Sequence, residues 1–228
     1  MDKYIYIIHS SFEPNSAAVN RFLAFARGYG EQGVKVKAVF VQPNKKFDMV
    51  DESYQNVEFI YLWEKLQISN RYLRFLSTRL YIILFLLKLK KNDIVILYGL
   101  VHYLVLFILK KNIKVYHERT ESPDIVGRSH SFIGNIKHKL YLKACKKLDG
   151  LFVISPSLNK YFVEEVGVNY KKIHTINMIV DLSRFKDLNF TTKSNTISYC
   201  GTISEQKDGI SYLLKAFSIV SKKHEEIT

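Results

Sequence analysis

The sequence predicts an α/β fold: a Rossmann-like, mostly parallel sheet with helices on both faces. Three observations carry this. Short apolar runs alternate with segments of helical period, the pattern of βαβ units. The runs are continuously apolar, as strands covered on both sides are. The chain has 228 residues, 47% of them hydrophobic, with only ten Gly and four Pro. That is a globular composition, long enough to bury a substantial core and short of flexible linkers.

Residues 4–9 read as the first strand. Ser16 opens a helix in which Val19, Phe22, Leu23 and Ala26 recur at helical spacing, and Gly33 ends it. Residues 34–41 and 57–62 read as the second and third strands. A long helix covers 71–90, and 93–98 is a fourth strand, followed by a helix through Leu109. Residues 114–118 form a fifth strand, a basic helix covers 137–148, and 150–154 is a sixth strand. Ser155-Pro156-Ser157 starts a short helix over 157–166, and 173–177 is a seventh strand. In sheets of this type ligands sit beyond the carboxyl ends of the strands. That rule selects the loops after His9, Leu62, Tyr98, His117 and Ile154.

The pattern changes after Asn177. Residues 1–180 are expected to form one domain, and 181–195 to be a polar interdomain linker. Residues 196–228 then read as the incomplete start of a second domain: a strand at 196–200, a polar loop at 201–209 and a helix at 210–222. Such a unit cannot cover its own faces. Leu213, Leu214, Phe217 and Val220 are therefore expected to be exposed and to favour self-association.

Composition excludes several classes. The two cysteines, Cys145 and Cys200, are far apart, which argues against a disulfide scaffold and suits a reducing cytosol. No Cys-x-x-Cys or His-x-x-x-His spacing points to a metal. The start of the chain is strand-like and lacks the basic and apolar regions of a signal peptide. Two apolar runs, 80–87 and 98–109, fall short of the roughly 18 residues of a spanning helix and read as buried helices of a soluble core. Absence of Gly-x-Gly-x-x-Gly argues against a dinucleotide site.

The net charge is +13, and twelve of those charges lie between Arg71 and Lys147, where sixteen basic residues face four acidic ones. A one-sided field of this kind attracts anionic partners: acidic headgroups, phosphorylated substrates or nucleic acid. No nucleic-acid-binding signature accompanies it, and a solvated basic face with no partner remains an alternative. Within 137–148, Leu140, Tyr141, Ala144, Cys145 and Leu148 are expected on one helical face, with Lys139, Lys143, Lys146 and Lys147 on the other.

Three segments carry a family resemblance. Residues 197–217, Ile-Ser-Tyr-Cys-Gly-Thr-Ile-Ser-Glu-Gln-Lys-Asp-Gly-Ile-Ser-Tyr-Leu-Leu-Lys-Ala-Phe, resemble the strand, Gly-Arg-x-x-x-x-Lys-Gly loop and helix that open the C-terminal domain of group 1 (family 4) glycosyltransferases. Val180-Asp181-Leu182-Ser183-Arg184-Phe185 is similar to that family's interdomain segment. Val153-Ile154-Ser155-Pro156-Ser157-Leu158 is similar to its late N-terminal strand end. The resemblance implies a GT-B architecture, represented here by the N-terminal half and a β-loop-α start of the second lobe. It implies retaining sugar transfer from a nucleotide-sugar donor to a saccharide or lipid-linked acceptor, without metal or other cofactor. The implied setting is bacterial surface polysaccharide synthesis in the cytoplasm, at the inner membrane face.

The site residues follow from the resemblance. Lys207 matches the lysine that contacts the donor pyrophosphate, and otherwise reads as a solvated loop lysine. Gly201 would let backbone approach a phosphate. Thr202 stands where the family has arginine, and loses its bidentate fork. His117 matches the histidine that hydrogen-bonds the donor sugar, with Glu118 as its catalytic neighbour. Arg119 and Glu121 complete a polar cluster that reads alternatively as a loop with a local Arg119–carboxylate pair. His9, Ser10, Asn15 and Ser16 are acceptor-side candidates, Ser16 otherwise being a helix cap. The family's paired glutamates, Glu-x(7)-Glu, are not supplied by the last helix. The chain is therefore expected to be truncated and inactive alone, the alternative being a non-catalytic lobe that binds acceptor or membrane.

Overall fold

The computed structural model describes residues 4–11, 16–42, 54–62, 70–99, 104–110, 112–124, 131–179, 195–200 and 205–224. The chain divides into two compact units, Met1–Val180 and Asp181–Thr228.

The first unit is built on seven strands: β1 (Ile5–Ser11), β2 (Val36–Gln42), β3 (Val57–Tyr61), β4 (Ile94–Tyr98), β5 (Lys114–Arg119), β6 (Gly150–Val153) and β7 (Ile173–Thr175). All pair in parallel, in the order β3-β2-β1-β4-β5-β6-β7. The chain winds outward from β1 in one direction and then, from β4, in the other. The reversal between β1 and β4 is the switch point at which sheets of this class open a crevice at their carboxyl edge.

Among the described residues five helices cover the sheet: α1 (Ala17–Glu31), α2 (Arg71–Lys88), α3 (Leu104–Leu109), α4 (Phe132–Cys145) and α5 (Pro156–Tyr161), the last continuing as a wide turn over Phe162–Val166. Short polar side chains start α1, α2, α4 and α5. Ser16 Oγ accepts from Val19 N (3.2 Å), Asn70 Oδ1 from Tyr72 N (2.9 Å), Ser131 Oγ from Gly134 N (3.0 Å) and Ser155 Oγ from Leu158 N (3.2 Å). Each satisfies one of the free N–H groups of a helix start.

Two cores result. On one side α1 places Val19, Phe22, Phe25 and Ala26 against Ile7, Ala38, Phe40, Ile96 and Tyr98. On the other, α2, α3, α4 and α5 place residues such as Phe85, Phe107, Ala144 and Leu158 against Ile8, Val39, Leu97, Val115 and Leu151. Strand residues alternate between these cores because successive side chains point to opposite faces.

Several expectations need correction. β1 runs on through Ser10 and Ser11, and β5 through Arg119, so these residues lie in strands rather than loops. Residues 196–200 form no strand. A strand needs a partner for its N–H and C=O groups, and no ladder forms there among the described residues of this unit. Part of the loop expected at 201–209 is a short helix, α6 (Glu205–Asp208), before α7 (Ile210–Ser221). The Glu205 carboxylate accepts from Ser211 N (2.9 Å) and Ser211 Oγ (2.6 Å), capping α7.

None of the described residues of the second unit is buried; in α7 Leu214 is 62% exposed, Leu213 and Val220 are also exposed, and Phe217 is partly covered. In α4, Tyr141, Ala144 and Cys145 point inward as expected, but Leu140 is 54% exposed and joins the lysine side. The run at 80–87, expected to be a buried helix, is buried only at Ile82, Phe85 and Leu86.

Candidate functional site

Register sorts the expected site residues into two rows. His9 stands beside Tyr98, and Tyr98 beside Glu118. One residue earlier, Ile8, Leu97 and His117 form the next row. Alternation then separates neighbours in sequence: Glu118 faces α1, while His117 and Arg119 face α4. The sequence cluster is thus divided by the sheet, and His117 and Glu118 do not meet.

On the α1 side, Glu118 accepts from Arg21 Nε, and both side chains are about 1% exposed. Arg21 Nη1 donates to Asn177 O (2.8 Å) and Nη2 to Ile176 O (2.8 Å). Its guanidinium also lies 5.2 Å from the centre of the Phe25 ring. One arginine thus ties α1 to β5 and to the segment after β7. Burial pushes the Glu118 carboxyl up from its ordinary range, opposed by Tyr98 and Arg21. Burial first, and the Glu118 charge second, push the Tyr98 phenol well up. Neither Tyr98 Oη nor Glu118 Oε2 has a hydrogen bond of good geometry.

His9 sits in an aromatic box, 5.6 Å from Phe22, 6.3 Å from Tyr98 and 6.4 Å from Phe40 between ring centres. It is 9% exposed. Ser10 is partly exposed beside it, and Ser16 is engaged as the α1 cap.

On the α4 side, His117 is fully buried, with Nδ1 3.0 Å from Leu97 O. A carbonyl can only accept, so Nδ1 carries the proton and Nε2 presents a lone pair. Burial first, and Arg119 second, push its pKa down to about 3. His117 is therefore neutral at physiological pH and acts as a hydrogen-bond acceptor rather than a proton donor. Its ring meets Tyr141 edge-on at 5.9 Å, and the Arg119 guanidinium lies 5.5 Å from the Tyr141 ring centre. Arg119 Nη2 donates to Glu121 O (3.2 Å), a backbone contact rather than a carboxylate pair.

Three buried polar atoms around this point have no hydrogen-bond partner: His117 Nε2, Arg119 Nε and Tyr141 Oη. Buried polar groups are usually satisfied, so these three atoms are polar capacity that this side of the sheet leaves unused. Burial raises the Cys145 thiol to about 11, so it is not a poised nucleophile. Among the described residues no group of three or more His, Cys, Asp and Glu could hold a metal ion.

Asn15, Gly201 and Thr202 lie outside the described residues, as does the side chain of Lys207; Lys207 itself stands in α6. Sequence reasoning missed Arg21, Tyr98 and Tyr141. Arg21 had a signal: it precedes Phe25 by four residues, on the helix edge that bears the apolar residues, where an unpaired charge would be costly.

By sequence, the chain matches neither a known protein-family model nor a curated protein. By structure it is similar to Anabaena Alr3699/HepE in complex with UDP-glucose, with a TM-score of 0.55 at 11% identity, covering 95% of this chain and 50% of that one. It is also similar to Phytolacca americana UGT2 complexed with UDP-2fluoro-glucose and pterostilbene, with a TM-score of 0.54 at 13% identity, covering 90% of this chain and 62% of that one. The chain thus spans half to three-fifths of the length of these neighbours. The likeness establishes the fold: a Rossmann-like α/β sheet of the GT-B kind.

Proposed function

We propose that this chain is the acceptor-side lobe of a GT-B glycosyltransferase of the group 1 type. The whole protein would transfer a sugar, with retention, from a nucleotide-sugar to a saccharide or lipid-linked acceptor in surface polysaccharide synthesis. The observation that carries the reading is the pair of unpartnered polar atoms near the carboxyl end of β5, His117 Nε2 and Arg119 Nε, set in a fold shared with structures that hold UDP-sugars. Family motifs in 153–158, 180–185 and 197–217 support it. The chemistry asked of this lobe is modest. Neutral His117 accepts from a sugar hydroxyl and Arg119 donates to an oxygen, orienting the reacting partners.

The test is to express the full reading frame that contains this chain and screen labelled nucleotide-sugars with lipid-linked and saccharide acceptors. Transfer is expected, and His117→Ala should lower kcat/KM on the order of a hundredfold, as the loss of one positioned hydrogen bond does. Neither binding nor transfer of any nucleotide-sugar would overturn the reading.

A second reading is a non-catalytic acceptor- or membrane-binding lobe. Acceptor binding without turnover by the full frame would select it.

A further inference from the structure

Helices α2, α3 and α4 lie on the same side of the sheet, since their inward residues share one core. Their outward side is unusual. Along α2, Leu73, Leu76, Leu80, Leu84 and Leu87 recur three or four residues apart, and all are exposed, from 45% to 73%. In α4, Phe132 is 79% and Ile133 64% exposed, with Ile136 and Leu140 continuing the stripe. In α3, Leu109 is 69% exposed. Exposed apolar residues repeated along helix faces in this way mark an interaction site.

The same three helices contain no acidic residue. Exposed lysines border the apolar stripe: Lys88 at the end of α2, and Lys137, Lys139 and Lys143 in α4, with Lys146 and Lys147 just beyond. Charge therefore selects the occupant. A second copy docked through this face would set lysines against lysines with no carboxylate from these helices to receive them. A bilayer with anionic headgroups supplies both missing partners, acyl chains for the leucines and phosphates for the lysines. Among the described residues no helix is long and apolar enough to cross a membrane, so the geometry is that of helices lying in the interface.

We propose that the outer face of α2, α3 and α4 docks flat on an anionic membrane surface, its leucines entering the acyl boundary and its lysines meeting lipid phosphates. The inference rests on these helices alone and stands whether or not the chain belongs to a sugar-transferring protein.

The full chain, sedimented with phosphatidylcholine vesicles that contain or lack phosphatidylglycerol, tests it. Binding is expected with phosphatidylglycerol and should weaken with salt. Leu76→Ser/Leu80→Ser/Leu87→Ser should lose at least about tenfold in affinity, since several apolar side chains no longer leave water. Lys139→Glu/Lys143→Glu should lose a similar factor and the preference for the anionic lipid. These residues are exposed, so urea unfolding of each variant should match the parent. Leu214→Ser, in α7, should leave vesicle binding unchanged. The proposal fails if anionic vesicles bind no better than neutral ones, if neither face variant weakens binding, or if Leu214→Ser abolishes it. It also fails if light scattering shows a dimer that the face variants convert to monomer.

Discussion

The two sides of the sheet are covered by helices of opposite character. On one, α1 is complete: its apolar residues are inward, and it shows no exposed large hydrophobic. Its half-buried Arg27 and exposed Glu31 also pair, at 3.4 Å. Its buried charge is received by Glu118 and two carbonyls. On the other side, α2, α3 and α4 expose leucines, isoleucines and lysines, carry no acid, and leave His117 Nε2, Arg119 Nε and Tyr141 Oη unpartnered. The α1 side, though Tyr98 Oη and Glu118 Oε2 lack hydrogen bonds there, has its apolar surface covered and holds the fold together. The open side has surface and polar capacity left over, which is what binding requires.

The comparison can be broken hardest at Arg21. Arg21→Met leaves Glu118 as an uncompensated buried charge and frees two carbonyls, and should destabilise by about 3–5 kcal/mol. Arg21→Met/Glu118→Leu should recover much of that loss. Urea titration of the two variants measures both, and a single-variant effect below that of an ordinary surface change would show the α1 side is not closed by this pair.

The α4 side should announce itself through pH. His117 is neutral in the fold down to about pH 3, whereas an ordinary histidine takes up a proton near 6.5. The unfolded chain therefore binds one more proton between these values. Its contribution to stability is complete above pH 6.5 and declines as pH falls, by at most about 1.4 kcal/mol per pH unit. His117→Gln should remove that part of the slope. Identical pH profiles for parent and variant would mean that His117 is not held neutral.

A smaller effect sharpens the α1 side. Gly150 lies opposite Tyr116, and a Cβ there would fall 2.5 Å from the Tyr116 ring, which stacks on Phe152. Gly150→Ala should cost about 1–3 kcal/mol by overpacking, read from the thermal midpoint, and Tyr116→Leu in the same chain should relieve it. The smallest contrast compares caps across the sheet. Ser16→Ala on α1 and Ser131→Ala on α4 should each cost about 1 kcal/mol by chemical denaturation. Unequal values would show that one helix is held by its packing more than by its cap.

Much of the fold was legible in the residues themselves. Continuous apolar runs such as Ile94–Tyr98 have no other stable place than a doubly covered parallel sheet. Ser16, Ser131 and Ser155 announce helix starts because their side chains receive free N–H groups. Tertiary structure decided what depends on distant partners. His117 and Glu118 look like one cluster in sequence, yet strand alternation sends them to opposite cores. Glu118 meets Arg21, 97 residues away, a pairing no local pattern encodes. Residues 196–200 have strand composition, but a strand exists only where another lies beside it. The stripe on α2 was also invisible as exposure: an apolar helix reads the same whether its second face is covered or left open, and only the packing of its neighbours distinguishes the two.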